Sequence, residues 1–228
     1  MEKKKSLEQL KRYVQELGLT PQEVVKYFSS QDVQALFKEK SSQVSSKKYE
    51  TQKKVLPGMY VYADGLISSE LVQGRQVKAV VGYVEGNTVY AVCLRETNMP
   101  WSRDFLQVPE TQEMASGKEA THKILEIADK QKKSATAARW CHDYVFDGVK
   151  QGEAFLPSVT EWEKLFVNKT AINASLKALG AALFVYGYWS STEYGINLAW
   201  KFNMINGSRV WNVKYDSNQV RPVLVFKI

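Results

Sequence analysis

From Gly187 to Ile228 the chain reads as short strand patterns broken at close intervals by turn signals. The runs GYWSSTEY, LAWKFNMI, SRVWNVKY and QVRPVLVF are separated by Gly195-Ile196-Asn197, Asn206-Gly207 and Asp216-Ser217-Asn218. Asn-Gly is the strongest of these signals, because both residues tolerate the positive φ of a tight hairpin. Strands this short need a partner layer to bury their apolar face. The upstream sequence supplies candidates. Met59 to Tyr62 reads as a strand, and Gln76–Tyr83 and Thr88–Leu94 read as a hairpin across Glu85-Gly86-Asn87. Helical spacing then predicts Gly117–Lys130, with Ala120, Ile124, Ile127 and Ala128 inward, and Thr136–Phe146, with Ala137, Trp140, Cys141 and Tyr144 inward. Ser158-Val159-Thr160-Glu161 is a capping box that opens a short helix, and Ala171–Leu183 predicts another. Strand, hairpin, helices and strands in that order predict an α+β fold, since βαβ alternation is absent.

Charge divides the chain. The 31 basic and 24 acidic residues leave a net charge of +7. Residues 1–54 hold 12 of the basic and 7 of the acidic residues and no Trp, whereas all six Trp lie beyond them. Three amphipathic helices are predicted within residues 1–40, a polar linker over 41–55, and the main domain over 56–228. No apolar run is long enough to span a bilayer, and charged residues interrupt any signal-peptide core near the N-terminus. Those features point to the cytoplasm or a particle assembled there. Cys93 and Cys141 match no metal or redox spacing and read as two buried thiols.

Several spaced motifs carry a resemblance. They are Ala137-Ala138-Arg139-Trp140-Cys141, Phe155-Leu156-Pro157-Ser158 with Glu161, Gly187-Tyr188-Trp189-Ser190-Ser191-Thr192-Glu193, Ala199-Trp200, Asn206-Gly207 and Val220-Arg221-Pro222-Val223. In this order they resemble a C-type lectin-like domain. More closely, they resemble the ligand-binding domain of variable proteins diversified by bacterial and phage diversity-generating retroelements, or a non-diversified paralogue. The likeness covers about residues 56–228. It implies a structural frame of Trp189, Ser190, Ser191, Thr192, Glu193, Trp200 and Arg221. In that frame Trp189, Trp200 and Trp140 supply buried area, the hydroxyls bond loop backbone, and Glu193 pairs with Arg221.

The resemblance also implies a binding surface between Glu193 and Val220. In such proteins the variable positions come from asparagine-type codons with randomised adenines, which yield Asn, Tyr, Ser, Ile, Val, Leu and Asp among others. Five of the nine Asn of the chain fall in its last 42 residues. The candidate ligand-contacting positions are Tyr194, Ile196, Asn197, Leu198, Ile205, Ser208, Val210, Val213, Tyr215 and Asp216. Trp211 joins them as a contact that such codons do not vary. Asn206 and Asn218 are read as turn residues. Tyr, Asn and Ser on loops of a rigid scaffold are also the chemistry of antibody paratopes. The implied partner is a protein or surface ligand at this C-terminal face, with self-association or particle docking assigned to the N-terminal helices.

Other readings compete. Calcium-dependent sugar binding in this fold uses carboxylate-bearing triplets, and Trp211-Asn212-Val213 offers none. A non-diversified carbohydrate-binding or adhesion module stays open. Formylglycine-generating enzymes share the fold but need active-site cysteines in the C-terminal region. His142 and Asp143 are adjacent helical residues and are not read as a dyad. No catalytic residue, metal ligand or cofactor is assigned. Nucleic-acid binding rests on Lys3-Lys4-Lys5 and the linker lysines, which read as solvated charge, so it is disfavoured.

Overall fold

Short turns of suitable chemistry bring the strands of the second half into antiparallel register with one another. In a computed structural model, which describes residues 54–228, Val55–Ile228 form one compact unit. The helices read within residues 1–40, and the linker up to residue 53, lie outside the described residues.

Two sheets and four helices make up the α+β unit. The strands are β1 (Tyr60–Tyr62), β2 (Ile67–Ser68), β3 (Val77–Glu85), β4 (Thr88–Cys93), β5 (Thr97–Pro100), β6 (Ala154–Phe155), β7 (Gly187–Gly195), β8 (Leu198–Asn203), β9 (Ser208–Val213), β10 (Ser217–Val220) and β11 (Val223–Lys227). The helices are α1 (Gly117–Gln131), α2 (Thr136–His142), α3 (Val159–Val167) and α4 (Lys169–Ala178). One sheet runs β2-β1-β3-β4-β11-β6 and the other β5-β10-β7-β8-β9. All neighbours are antiparallel except β10 and β7.

QVRPVLVF, read as one strand, is two. Pro222 has no N–H to give a ladder, and around Arg221-Pro222 the chain leaves one sheet and joins the other. The C-terminal segment therefore ties the two sheets together. The second helix ends at His142, not Phe146, and the fourth spans Lys169–Ala178, not Ala171–Leu183. Strands β2, β5 and β6 were not foreseen; each has only two to four residues.

The capping box is present as read. Ser158 Oγ accepts from Glu161 N, and Glu161 Oε2 accepts from Ser158 N at 2.8 Å. Glu161 does more than the box needs, because its other oxygen accepts from Gly117 N, the first residue of α1, at 3.1 Å. One buried carboxylate thus holds the starts of two helices. Its desolvation raises its pKa to about 7, against the two backbone donors that favour the anion.

Three apolar clusters flank the sheets. One, between the sheets and helices α3 and α4, contains Tyr62, Val80, Trp162, Leu165, Phe184, Tyr188 and Phe202. A second lies under α1 and α2 and contains Trp101, Leu106, Ile124, Cys141, Trp189 and Ala199. The third covers the far face of the first sheet and includes Val61, Val81, Cys93, Tyr144 and Leu224. Cys93 and Cys141 are free, buried thiols, and burial raises both thiol pKa values. Among the described residues, no helix is long and apolar enough to cross a membrane.

Candidate ligand-binding face

Strand parity on β7 and β8 decides what lies at the surface. Tyr188 pairs with Phe202, and both enter the first cluster; Glu193 pairs with Ala199, on the side of the second. Tyr194, Trp200 and Trp211 fall on the Phe202 side, since Trp200 pairs with Trp211 and Phe202 with Arg209. At the Phe202 end this face is covered by α3, where Phe166 meets Phe202 at 5.7 Å between ring centroids. Toward the other end the same row continues as an aromatic ledge. Tyr194 meets Trp200 edge-on at 4.8 Å and lies parallel to Trp211 at 5.9 Å.

The structure buries none of the eleven candidate positions. Tyr194, Ile196, Asn197, Ile205, Val210, Trp211 and Tyr215 are exposed, and Leu198, Ser208, Val213 and Asp216 are half-buried. They do not form a single group. Leu198 pairs with Val213, and Lys214 N donates to Asn197 O at 2.9 Å, so Tyr194, Ile196, Asn197, Leu198, Val213, Tyr215 and Asp216 gather at one end of the sheet. Ser208 pairs with Asn203 and stands with Ile205 at the opposite end, about 17 Å along the strand. Val210 pairs with Lys201 and points to the face opposite Trp211.

Beneath the first group is a buried ion pair that the sequence reading missed. Lys214 and Glu193 side chains are 3% and 2% exposed. Lys214 Nζ donates to Glu193 Oε1, to Leu106 O at 2.7 Å and to Ile196 O at 3.0 Å. It also lies over the Trp101 ring at 4.9 Å. The Glu193 carboxylate accepts from Val108 N at 2.9 Å and from Gln112 Nε2 at 3.3 Å. Burial draws the Lys214 amine below the ordinary lysine value, and the Glu193 carboxylate opposes that shift. The pair pins the turn at Ile196 and the loop at Lys214 to the segment over residues 106–112. The available signal was compositional: Glu193 and Asp216 are the only acids beyond Gly187.

The expected Glu193–Arg221 pair does not form. Arg221 lies on the Tyr188 side of the sheet, where Nη2 meets Glu96 Oε2 at 2.9 Å and donates to Ala182 O at 2.8 Å. Tyr188 Oη donates to the same Glu96 oxygen at 2.7 Å. Glu193 faces the opposite core, so the two cannot meet. Other parts of the expected frame differ in detail. Trp189 is fully buried and Trp162 Nε1 donates to its carbonyl at 3.0 Å. Trp200 and Trp140 are only half-buried, and Trp101 and Trp162 supply the remaining large buried indoles. Ser190 Oγ donates to Trp200 O at 2.7 Å, and Thr192 Oγ1 accepts from Val159 N at 3.1 Å. Ser191 Oγ has no partner among the described residues. Asn206 acts as a turn residue, accepting from Ser208 N at 3.1 Å, but Asn218 is buried in β10 and accepts from Lys201 Nζ at 2.9 Å.

His142 and Asp143 do meet, with Nδ1 and Oδ1 2.8 Å apart, because α2 ends there and Asp143 is its C-cap. The pair is surface-exposed and remote in sequence from the ledge. Among the described residues, no three His, Cys, Asp or Glu side chains converge on a point that could hold a metal ion. A surface cavity of about 230 Å³ is lined by Lys78, Lys118, Glu153 and Phe226, and by no candidate position.

No family model matches the chain, and no curated protein matches it. Its fold is similar to the crystal structure of a fimbrial protein from Bacteroides ovatus ATCC 8483, with a TM-score of 0.62 and 15% sequence identity. The match covers 75% of this chain and 49% of that one, so the likeness spans about half of the fimbrial protein. At that identity the similarity concerns the fold alone.

Proposed function

We propose that the chain is a target-binding protein of C-type lectin-like fold, belonging with the variable proteins of diversity-generating retroelements. Its target is a protein or surface ligand bound at the loop end of the second sheet. The carrying observation is the division of burial along residues 187–221. Trp189, Ser190, Ser191, Thr192, Glu193, Ala199, Phe202, Met204, Lys214 and Arg221 are buried, while none of the eleven interleaved candidate positions is. A chain arranged this way changes its surface without changing its core. The ledge of Tyr194, Trp200 and Trp211, edged by Asn197 and Asp216, has the aromatic and polar mixture of a recognition surface. The same ledge suits stacking against a sugar ring, which favours the carbohydrate-binding module as the second reading.

Deep sequencing of this gene across a growing population of its source tests the first reading. The expected result is variation concentrated at the first two bases of the codons of the candidate positions other than Trp211, where an asparagine-type codon carries its adenines, with the frame codons constant. Uniform or absent variation would leave a non-diversified module. For the second reading, a glycan array separates the cases: retained glycans whose signal is lost in Trp211→Ala support it, and an empty array removes it.

A further inference from the structure

We propose that the free edge of β9 pairs with β9 of a second copy of this chain about a two-fold axis. Strand β9 is the outer strand of its sheet, and its six residues have no neighbour on the far side among the described residues. Lys214 N bonds to Asn197 O, so in an antiparallel ladder Asn212, Val210 and Ser208 turn their N–H and C=O groups toward β8. Arg209, Trp211 and Val213 then turn theirs outward. The Val213 N–H is already used, since it donates to Asn212 Oδ1 at 2.8 Å. Arg209 and Trp211 are left with two donors and two acceptors on an exposed edge.

One register uses all four. With Val210 on the axis, Arg209 of one copy lies opposite Trp211 of the other, and each pair exchanges two backbone hydrogen bonds. The ladder stops there by itself, because the next outward N–H, that of Val213, is capped and Gly207 N is bonded to Asn203 O. The side chains also match. On one face the Arg209 guanidinium, held by Glu163 through bonds of 2.5 and 2.7 Å, faces the indole of Trp211, which is 50% exposed. On the other face Val210, 38% exposed, meets its own symmetry mate. Shifting the axis to Trp211 would set Arg209 against Val213, whose N–H is capped and whose C=O already accepts from Asp216 N, and would leave only the two bonds between the Trp211 residues free of competition. Edge strands are commonly blunted by charged side chains, Pro or a bulge; β9 has no Pro and no bulge, and its one charge, Arg209, is paired with Glu163. The result is a continuous sheet of ten strands.

This dimer goes beyond the target-binding reading. Ser208, Val210 and Trp211 fall in the pairing segment, whereas Tyr194, Ile196, Asn197 and Tyr215 lie clear of it. Sedimentation equilibrium on the full chain reads the assembly directly. The expected mass is twice the 26.0 kDa of one chain, falling to one chain in Val210→Lys, which opposes two like charges across the axis. Register is read by cysteine pairing. Directly opposed non-hydrogen-bonded residues have Cα atoms about 4.5 Å apart, within disulfide reach. Val210→Cys is expected to give a covalent dimer under mild oxidation, and Ser208→Cys is not, while the buried native thiols stay unreactive. A monomeric wild type, or a dimer that Val210→Lys leaves intact and Val210→Cys fails to cross-link, would overturn the proposal. Circular dichroism of each variant checks that the fold survives.

Discussion

Lys214, in the loop after β9, is buried against the Glu193 carboxylate near the end of β7, and through Ile196 O it also holds the turn between β7 and β8. Two loops that carry exposed candidate contacts are therefore fastened from below by one ammonium group. Replacing it by Met leaves Glu193 charged, buried and without its cation. Lys214→Met is expected to cost about 3–5 kcal/mol, because an unpaired buried charge is heavily penalised. Glu193→Gln combined with Lys214→Met is expected to recover part of that loss. Urea denaturation of the single and double variants checks both, and the coupling between them measures the pair.

The exposed loop residues are expected to behave in the opposite way. Ile196→Ser and Tyr215→Ser remove side chains that are 62% and 59% exposed. Each is expected to change stability by less than about 0.5 kcal/mol. Phe202→Ala, in the same sheet but 1% exposed and packed on Phe166, is expected to cost about 3–5 kcal/mol. Thermal melting of the three variants under one buffer separates the classes.

Gly117 has no room for a side chain. A Cβ there would lie 2.3 Å from Glu161 Oε2, 2.6 Å from Ser158 N and 2.7 Å from Leu156 O. Two of those atoms are backbone and cannot swing away. Gly117→Ala is therefore expected to destabilise although Ala is the better helix former, by about 1–3 kcal/mol or more through overpacking. Gly86→Ala, with open space around it but φ of +57°, is the comparison that isolates backbone strain from crowding.

Glu161 makes stability depend on pH near neutrality. Its folded pKa, about 7, lies above the ordinary value of 4.5, so the folded chain binds this proton more readily than the unfolded chain between those values. The contribution is fully present below about pH 4.5 and is lost as pH rises through 7. The melting temperature is expected to fall between pH 5.5 and pH 8, and the slope to flatten in Glu161→Gln. Scanning calorimetry across that range checks the sign.

The α+β class was legible because it depends on local signals. Ser158 caps α3, and Gly86-Asn87 and Asn206-Gly207 turn their hairpins, each from a few adjacent residues. The exposure of the candidate positions was legible for a related reason, since turn chemistry and motif spacing place residues near loops without fixing their neighbours. Pairings across the fold were not. Glu193 could have met any of the cations beyond Gly187, and the choice of Lys214 over Arg221 depends on which face of the sheet Glu193 takes after a register shift between Trp189 and Glu193. The buried indoles were misassigned similarly: Trp200 sits at the rim where α3 no longer covers the sheet, a fact set by helix length and placement. The division of candidate positions between the two ends of β8 and β9 follows from register, which motif order does not carry.

The central claim is that a rigid frame carries a replaceable recognition surface at the loop end of the second sheet. A library of the full chain with Tyr194, Ile196, Asn197, Leu198, Val213 and Tyr215 randomised together, displayed on yeast and challenged with protease, tests it most directly. The account predicts that most members resist proteolysis as the parent does, with polar and apolar residues accepted alike at each position. Survival restricted to members that keep the parental or other apolar residues would contradict it, since those side chains would then belong to the core.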